Sequence, residues 1–402
     1  MISNNIPQGY KDSPLGVIPQ EWEVKRLGEV CLKIQDGNYG ADYPKEYEFL
    51  VSGIPFITSK ALGGEGVLNV DKVNYISADK HAKLRKAQLE LNDILFTNRG
   101  ANVGVTCMVD ARLHGGNIGP QVTLLRVHKS LVNCSYVFQY SKGYSFLCQV
   151  HSQDSGSAMN FFGIGDTAKF KIAFPPLPEQ QRIAEVLGTW DVAIEKQGAL
   201  VDKLTERKRA LMQQLLTAKK RLPNFSEPWE TVRLGEVAEI YQPQTISSNE
   251  LTDKGYQVYG ANGQIGFYSR YNHELPQVVI TCRGSSCGTV NITPSKCWIT
   301  GNAMVVNVDN KENIDKDYFY YLMSNSSFKA LISGSGQPQI VRTPLVNYSV
   351  YMPTLKEQTA IAQILTTADR EIEEAKAKLE SLRSQKRGLM QQLLSGKKRI
   401  KI

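Results

Sequence analysis

Several groupings of residues that build metal, disulfide and nucleotide sites are missing from this sequence. Its seven cysteines are scattered and contain no CxxC pair, and its five histidines contain no HxxxH spacing. These absences disfavour a zinc site and a disulfide framework, and they favour buried, reduced thiols. The phosphate-loop pattern GxxxxGK followed by Ser or Thr is also missing, so ATP would have to be bound by another chain if it is used at all.

Long apolar segments are missing too. No run of eighteen apolar residues occurs, and the stretch MISNNIPQGYKDSPLG lacks the apolar core of a signal peptide, so we expect a cytoplasmic protein without a membrane partner. The chain has 402 residues, of which 42% are hydrophobic and 21% charged, which is typical of two or three folded domains. A net charge of +8 favours an anionic partner such as nucleic acid.

The sequence does contain a long internal repeat. The segment KRALMQQLLTAKKR at residues 208–221 returns as KRGLMQQLLSGKKR at residues 386–399. Extended in both directions, residues 175–222 align without a gap on residues 353–400, with 24 identities in 48 positions. Apolar residues in both copies step by four and three along a heptad seam, which predicts one long helix per copy.

The seam predicts that the two helices pack against each other. Its members are Ile183, Leu187, Trp190, Ile194, Val201, Leu204, Leu211 and Leu215 in the first copy, and Ile361, Leu365, Ile372, Leu379, Leu382, Leu389 and Leu393 in the second. Because the segment between the copies lets the chain turn back, we expect an antiparallel intramolecular coiled coil. Two helices packed separately on their own domains are the alternative. Lys208 and Lys386 occupy equivalent seam positions, where they could specify the register.

The segments before the helices also resemble each other, although more weakly. WEVKRLGEV at residues 22–30 returns as WETVRLGEV at residues 229–237, and TNRG at 97–100 corresponds to TCRG at 281–284. Short β-branched and aromatic runs alternate with Gly, Asn and Ser turns in both segments, which predicts mixed α/β domains. The expected fold class is therefore α+β, with two mixed α/β domains separated by two long helices in a pseudo-twofold arrangement.

These features resemble the DNA specificity subunit of type I restriction-modification systems. The resemblance covers nearly the whole chain: each domain opens with a WExxxLGEV-like strand, and each spacer helix is entered through PLPEQ or TLKEQ and closed by LMQQLL and KKR. It implies an N-terminal extension (1–21), target-recognition domain 1 (22–176), spacer helix 1 (177–222), target-recognition domain 2 (223–354) and spacer helix 2 (355–402).

The resemblance also implies a function. A noncatalytic subunit would bind double-stranded DNA at a bipartite target, one half-site per recognition domain, and would dock two methyltransferase subunits on its spacer helices. A motor-nuclease subunit would join through the methyltransferase complex. No cofactor is then expected on this chain, and S-adenosylmethionine, ATP and Mg would be bound by the partner subunits. A coiled-coil scaffold that tethers protein partners without specific DNA binding is the alternative.

Candidate DNA-binding residues follow from the chemistry of base recognition, because arginine suits guanine and asparagine or glutamine suits adenine. The loop candidates are Asn98, Arg99, Asn102 and Asn160 in the first domain, and Asn262, Gln264, Tyr268, Arg270, Arg283, Ser285, Gln337, Gln339 and Arg342 in the second. The helix ends add the basic triplets Lys219, Lys220, Arg221 and Lys397, Lys398, Arg399. Cations also favour the negative end of a helix dipole, so capping and phosphate contact are both consistent with the triplets.

Two of these candidates have a second interpretation. Arg99 and Arg283 precede glycine at matching places, so they could equally hold a turn that the two domains share. A residue that specifies sequence should differ between domains that read different half-sites, which favours Gln337, Gln339 and Arg342.

An independent enzyme is not expected, and neither are catalytic or metal-ligating residues. NFFGIGD at residues 160–166 and AFPPL at residues 173–177 are reminiscent of methyltransferase motifs. Amino methylation needs a polar side chain where this sequence has Phe174, and the two motifs are too close to lie on separate strands of a doubly wound sheet.

Overall fold

A computed structural model describes residues 6–152, 161–260, 262–334 and 336–400, apart from the side chains of Ala41 and Glu65. Its strands are β1 Tyr10–Lys11, β2 Ile18–Pro19, β3 Glu23–Arg26, β4 Cys31–Asp36, β5 Ile54–Ile57, β6 Asn74–Ile76, β7 Ile94–Thr97, β8 Thr106–Met108, β9 Asn117–Ile118, β10 Val122–Val127, β11 Lys171–Phe174, β12 Glu230–Arg233, β13 Glu239–Tyr241, β14 Tyr256–Gly260, β15 Gly263–Tyr268, β16 Val278–Thr281, β17 Val290–Ile292, β18 Trp298–Ile299, β19 Ala303–Asn307 and β20 Ser349–Met352. Its α-helices are α1 Leu27–Val30, α2 Ala78–Lys83, α3 Cys134–Ser141, α4 Tyr144–Ser152, α5 Ile164–Lys169, α6 Leu177–Leu215, α7 Leu234–Val237, α8 Lys316–Asn325, α9 Arg342–Val346 and α10 Leu355–Leu393. Within the described ranges, no helix has the length and apolar character that crossing a bilayer requires.

The chain forms two compact units. Unit 1 joins the residues up to Lys196 with those from Leu379 onward, and unit 2 runs from Gln197 to Lys378. The two long helices, α6 and α10, have 39 residues each. Each contributes one segment to unit 1 and the other segment to unit 2, so every unit holds one globular part and a segment of both long helices.

The globular parts of the two units share one sheet topology. Unit 1 has an antiparallel four-stranded sheet in the order β4-β10-β7-β8, and unit 2 repeats it as β13-β19-β16-β17. Each unit also has a three-stranded sheet with one antiparallel and one parallel pair, β6-β5-β9 in unit 1 and β15-β14-β18 in unit 2. The weak sequence similarity thus reflects one frame, because loops tolerate changes in length and sequence that the strands do not.

Each WExxxLGEV segment forms the same local structure. β3 pairs with β11, the strand immediately before α6, and β12 pairs with β20, the strand immediately before α10. The short LGEV helices follow, and their starts are capped by Glu29 and Glu236, which accept from the backbone N–H of Arg26 and Arg233. The strand that opens each globular part is thereby tied to the strand that leads into a long helix.

The long helices also enter the apolar cores of the units. The matching core residues are Trp22, Leu187 and Leu393 in unit 1, and Trp229, Leu365 and Leu215 in unit 2. The start of one long helix and the end of the other therefore pack with the opening tryptophan in each unit. Burial of large apolar side chains is the main favourable contribution to such packing.

The heptad seam lies on the packed faces of α6 and α10. All fifteen apolar seam members and the two seam lysines are buried or half-buried. The pairing is antiparallel: in unit 2, Gln197 donates to the carbonyl of Ala375 at 2.9 Å, and Lys208, further along α6, pairs with Asp369, which comes earlier on α10. The predicted fold class of two mixed α/β domains with two long helices in an antiparallel coiled coil is confirmed, and separate packing of the helices is wrong.

Candidate nucleic-acid interface

A buried glutamate at the start of α6 connects three parts of unit 1. Glu179 is 0% exposed, and its carboxylate accepts from the indole Nε1 of Trp22 at 3.3 Å and from Nε and Nη2 of Arg399 at 2.6 and 2.8 Å. The hydrogen bonds to Glu179 raise the pKa of Arg399, which also pairs with Glu21. A buried carboxylate requires such partners, because desolvation of an isolated charge is costly.

Unit 2 repeats this arrangement with equivalent residues. Glu357 is 1% exposed and accepts from Nε1 of Trp229 at 3.0 Å and from Nε and Nη2 of Arg221, both at 2.7 Å. We call the two sets, Trp22–Glu179–Arg399 and Trp229–Glu357–Arg221, the Trp–Glu–Arg clasps. Each clasp joins the opening strand of a globular part, the start of one long helix and the basic triplet after the other.

The glutamine after each clasp glutamate ties the long helix to a helix of the globular part. Gln180 accepts from the backbone N–H of Asn133, which caps α3, at 2.9 Å. Gln358 accepts from the backbone N–H of Asp315, which caps α8, at 3.0 Å. The EQ pair in PLPEQ and TLKEQ therefore fixes each globular part on its long helix.

The seam lysine of unit 1 takes part in a buried charge network. Lys386 is 6% exposed and pairs with Asp191 of α6. The same carboxylate accepts from Lys142 at 3.2 Å and from Gln139 at 2.6 Å. Burial by itself would raise the pKa of Asp191, but Lys142, Lys386 and Gln139 together hold it below its usual value. Burial also lowers the pKa of Lys142 to about 8.

The seam lysine of unit 2 has the equivalent partner in a more open setting. Lys208 donates to Asp369 of α10 at 2.5 Å, and the hydroxyl of Tyr321 donates to the other oxygen of that carboxylate at 2.7 Å. The side chains of Lys208 and Asp369 are 21% and 39% exposed. Cross-helix pairing of both seam lysines supports the hypothesis that they specify the register.

The basic triplets contain two kinds of residue. Arg221 and Arg399 are held by buried carboxylates in the clasps, so the prediction that they contact DNA loses its support. The lysines of the triplets are all exposed: Lys219, Lys220, Lys397 and Lys398. The chain turns just before each triplet at Ala218 and Gly396, whose φ angles are 57° and 70°. A left-handed residue ends a helix in this way, and it leaves the lysines available for phosphate contact.

The TNRG and TCRG segments form matching turns after β7 and β16. Gly100 and Gly284 have φ angles of 93° and 87°, which glycine adopts without strain. Arg99 and Arg283 therefore precede the same turn in both domains. The shared-turn interpretation accounts for the glycines, but it does not explain why an arginine stands before them.

Arg99 lies among exposed aromatic side chains in unit 1. Its guanidinium carbon is 4.4 Å from the ring centre of Phe161 and 5.9 Å from that of Tyr39. Lys86 lies over the ring of Tyr39 at 5.4 Å, and Asn102 on the same loop is exposed. Cationic and aromatic groups together provide a surface that suits a nucleic acid.

Asn98, the neighbour of Arg99, is a wrong prediction for base contact. It is 0% exposed, and its amide nitrogen donates to Asp36 at 3.1 Å and to Thr123 at 2.9 Å. Thr123 donates to the same carboxylate at 2.5 Å. This network joins the ends of β4, β7 and β10, so Asn98 supports the turn from inside and does not face a ligand.

Two candidate loops come together in unit 2. Arg283 and Gln339 face each other in an antiparallel bridge, and the backbone N–H of Gly284 donates to the carbonyl of Pro338 at 3.0 Å. The remaining loop candidates here, Ser285 and Gln337, are exposed, as are Arg283 and Gln339. The structure thus gathers the second domain's TCRG and GQPQ segments into one polar surface.

The other candidates of unit 2 lie on the β14–β15 hairpin. Asn262 and Gln264 are exposed at its tip, and Arg270 is exposed just after it. Tyr268 is half-buried, with its ring centre 5.0 Å from that of Trp298 in an edge-to-face contact. The tyrosine therefore stabilises the hairpin that presents the polar residues.

Two candidates remain. Arg342 donates from Nε to the carbonyl of Ile240 at 2.6 Å, so part of its guanidinium is used inside its own domain. Asn160 lies outside the described residues. Among those residues, no group of three or more His, Cys, Asp or Glu side chains is arranged to hold a metal ion.

Two stretches of the sequence match one protein family. Residues 19–203 and 226–382 each match the family described as type I restriction modification DNA specificity domain. The chain belongs to this specificity family. Because the two matches correspond to the two copies of the repeat, this type I specificity subunit carries two DNA specificity domains.

Known specificity subunits agree with this assignment. The type I restriction enzyme MjaVIII specificity subunit of Methanocaldococcus jannaschii is 25% identical over 429 residues, which cover 96% of this chain and 94% of that protein. The type I restriction-modification system S subunit from M. genitalium has a TM-score of 0.63 at 17% identity, with 98% of each chain covered. A chain from a structural study of complex assembly and conformational transition of the type I R-M system has a TM-score of 0.58 at 19% identity, covering 94% of this chain and 99% of that one. The structural matches show a common fold.

Sequence reasoning missed the residues that hold the helices and domains of this specificity subunit together. They are Trp22, Glu179, Asp191, Trp229, Glu357 and Asp369. Each of these residues has an identical counterpart in the other copy of the repeat, and this agreement could have pointed to them. Phe161 and Tyr39 gave no such signal, because only the first domain has this aromatic pair beside its Arg-Gly turn.

Proposed function

We propose that this specificity subunit is noncatalytic and binds double-stranded DNA at a bipartite target, with one half-site read by each unit. The observation that supports this most directly is that one sheet topology, one Arg-Gly turn and one clasp occur in both units, while the surrounding loops differ. A common frame with different loops suits two domains that perform one kind of recognition on different sequences. A scaffold without specific DNA binding would have no use for the difference.

The exposed loop residues and the half-buried Arg99 are the proposed contacts to bases. They are Arg99 and Asn102 in unit 1, and Asn262, Gln264, Arg270, Arg283, Ser285, Gln337 and Gln339 in unit 2. Side chains of these types match the donor and acceptor patterns in the major groove. The exposed lysines after the long helices are assigned to phosphates, which position a protein on DNA without reading sequence.

The long helices are the proposed docking surface for methyltransferase subunits, expected to be two. Their heptad faces are packed, yet Val192 and Leu200 on α6 are 50% and 44% exposed, and exposed apolar groups of this kind suit a protein partner. S-adenosylmethionine, ATP and Mg would be bound by the partner subunits, with a motor-nuclease subunit joining through the methyltransferase complex.

Mapping of methylated adenines tests the bipartite target. The gene for this chain and that of its methyltransferase partner would be expressed together in a host without other methylation. We expect one split motif, with two fixed parts separated by bases of any identity. Replacing residues 229–352 with the corresponding region of another specificity subunit should change one part only. Methylation without a split motif, or retained methyltransferase binding without any sequence preference, would favour the scaffold.

The docking surface requires a separate test. Val192→Glu and Leu200→Glu place a charge at the exposed apolar positions, and we expect them to weaken co-purification of the methyltransferase. Lys203→Glu, at an exposed polar position of the same helix, is the matched control and should retain it. Equal behaviour of all three variants would remove α6 from the docking surface.

A further inference from the structure

The two Arg-Gly turns have the same backbone but different surroundings. The residue that faces the arginine across the antiparallel bridge is Phe161 for Arg99 and Gln339 for Arg283. The following backbone contacts also correspond, because Phe162 donates to the carbonyl of Asn98 and Ile340 donates to that of Cys282. Phe161 and Gln339 therefore occupy equivalent positions in the two domains.

In unit 1, the ring of Phe161 at this position gives Arg99 a defined orientation. Phe161 is 50% exposed and Tyr39 is 45% exposed, and the guanidinium of Arg99 lies over both rings. The hydroxyl of Tyr39 donates to the buried carboxylate of Asp36 at 3.4 Å. That carboxylate also accepts from Asn98 and Thr123, so the aromatic support rests on the rigid end of the central sheet.

An arginine held in this way is suited to one kind of contact. Stacking on an aromatic ring occupies the face of the guanidinium and leaves its N–H edge for a planar acceptor. Guanine offers two acceptors, O6 and N7, in the geometry of that edge. A phosphate can also be bound by a lysine as a point charge, so a phosphate contact by itself does not call for a guanidinium held in a fixed plane.

We propose that Arg99 reads a guanine in the half-site of the first domain, with Phe161 and Tyr39 as positioning residues. This inference rests on the proposed function, since it assumes that each unit reads one half-site. Although both turns carry an arginine, the two domains can still read different sequences. The arginine is common to both turns, while the residue beside it changes from an aromatic ring to the amide of Gln339.

The test is a selection of bound sequences from a randomised DNA library, using the full chain with its methyltransferase partner. The wild type should show guanine at one position of one half-site. Arg99→Lys keeps the charge but loses the two-pronged edge, so the preference for guanine at that position should fall about tenfold or more, with the other half-site unchanged. Phe161→Leu should shift the same position in the same direction by a smaller factor.

The matched control is Arg283→Lys, which should leave the first half-site unchanged. Thermal unfolding of each variant verifies that the fold is retained. If Arg99→Lys weakens binding to all sequences equally, Arg99 contacts a phosphate and the proposal is wrong. The same conclusion follows if neither affinity nor preference changes. If the wild type itself selects no split motif, the proposed function fails before Arg99 is tested, so the two failures are distinguishable.

Discussion

The buried charge network around Asp191 allows a sharp prediction about stability. Asp191→Asn removes the carboxylate that Lys142 and Lys386 share while keeping the shape of the side chain. The lysine side chains are only 9% and 8% exposed, so both charges would stay desolvated after losing the carboxylate that they share. Loss of one partner from a buried ion pair costs about 3 to 5 kcal/mol. Because Asp191 is itself 32% exposed, we expect about 3 kcal/mol.

The equivalent residue in unit 2 is the matched control. Asp369→Asn removes the partner of a single lysine in a more exposed pair, and surface ion pairs contribute at most about 1 kcal/mol. The assay is urea unfolding of the full chain followed by circular dichroism, with hydrogen exchange to assign the loss to unit 1 or unit 2. The two substitutions are chemically identical, so their difference reports the burial of each carboxylate together with the number of lysines that pair with it.

A rescue experiment separates charge from packing. Lys386→Met places an apolar residue at a seam position, and in combination with Asp191→Asn it should recover part of the lost free energy of unfolding, because one uncompensated charge is gone. The reasoning is refuted if Asp191→Asn costs no more than Asp369→Asn. It is also refuted if the double variant is less stable than Asp191→Asn alone.

Three further predictions concern pH, the helix ends and the length of the helices. Burial lowers the pKa of Lys142 to about 8 from 10.5, so between these pH values the unfolded chain binds a proton that the folded chain has released. The wild type should therefore gain stability relative to Lys142→Met between about pH 8 and pH 10.5, by at most about 1.4 kcal/mol per pH unit. Urea unfolding at several pH values measures this, and parallel plots of unfolding free energy against pH for the two proteins would contradict it. Ala218→Gly should raise the free energy of unfolding by about 1 kcal/mol, because it relieves a left-handed φ. Gly396→Ala should lower it, because a Cβ at that position would clash with the ring of Pro19. Thermal unfolding measures both variants, and shifts of the same sign would contradict one of the two statements. Insertion of seven residues into both long helices adds about 10 Å of rise. It should lengthen the unread spacer of the DNA target by about three base pairs. An unchanged spacer in a binding selection would disprove the role of helix length.

The long helices show how much of the fold can be predicted from local sequence. A heptad repeat is a property of neighbouring turns, so the seam could be recognised from residues a few positions apart. The repetition of the whole pattern 178 positions later also required no structure. The two mixed domains followed from short strands and turns, although the order β4-β10-β7-β8 could not be derived, because strand pairing connects residues that are far apart in the chain.

The exposure of the candidate DNA-contact residues was predicted less well, for a physical reason. Residue type indicates which base a side chain could bind, but not whether the side chain reaches the surface. Asn98 and Asn102 lie four residues apart in one loop, yet the first is bonded inside the sheet and the second is exposed. Burial depends on which parts of the chain pack over a residue, and the position of that residue in its loop does not reveal this.

The sequence by itself determined that the chain is a duplicated arrangement of recognition domain and helix, and its resemblance to a family of specificity subunits followed from the order of the repeated motifs. Only the tertiary structure decided what the repeated charged residues do. Arg221 and Arg399 looked like part of a basic surface, but antiparallel packing brings each to a buried glutamate from the other helix. Lys208 and Lys386 likewise meet aspartates more than 160 positions away. A charge at a helix end has the same local pattern whether it meets solvent, DNA or a buried partner, and three-dimensional packing alone distinguishes these environments.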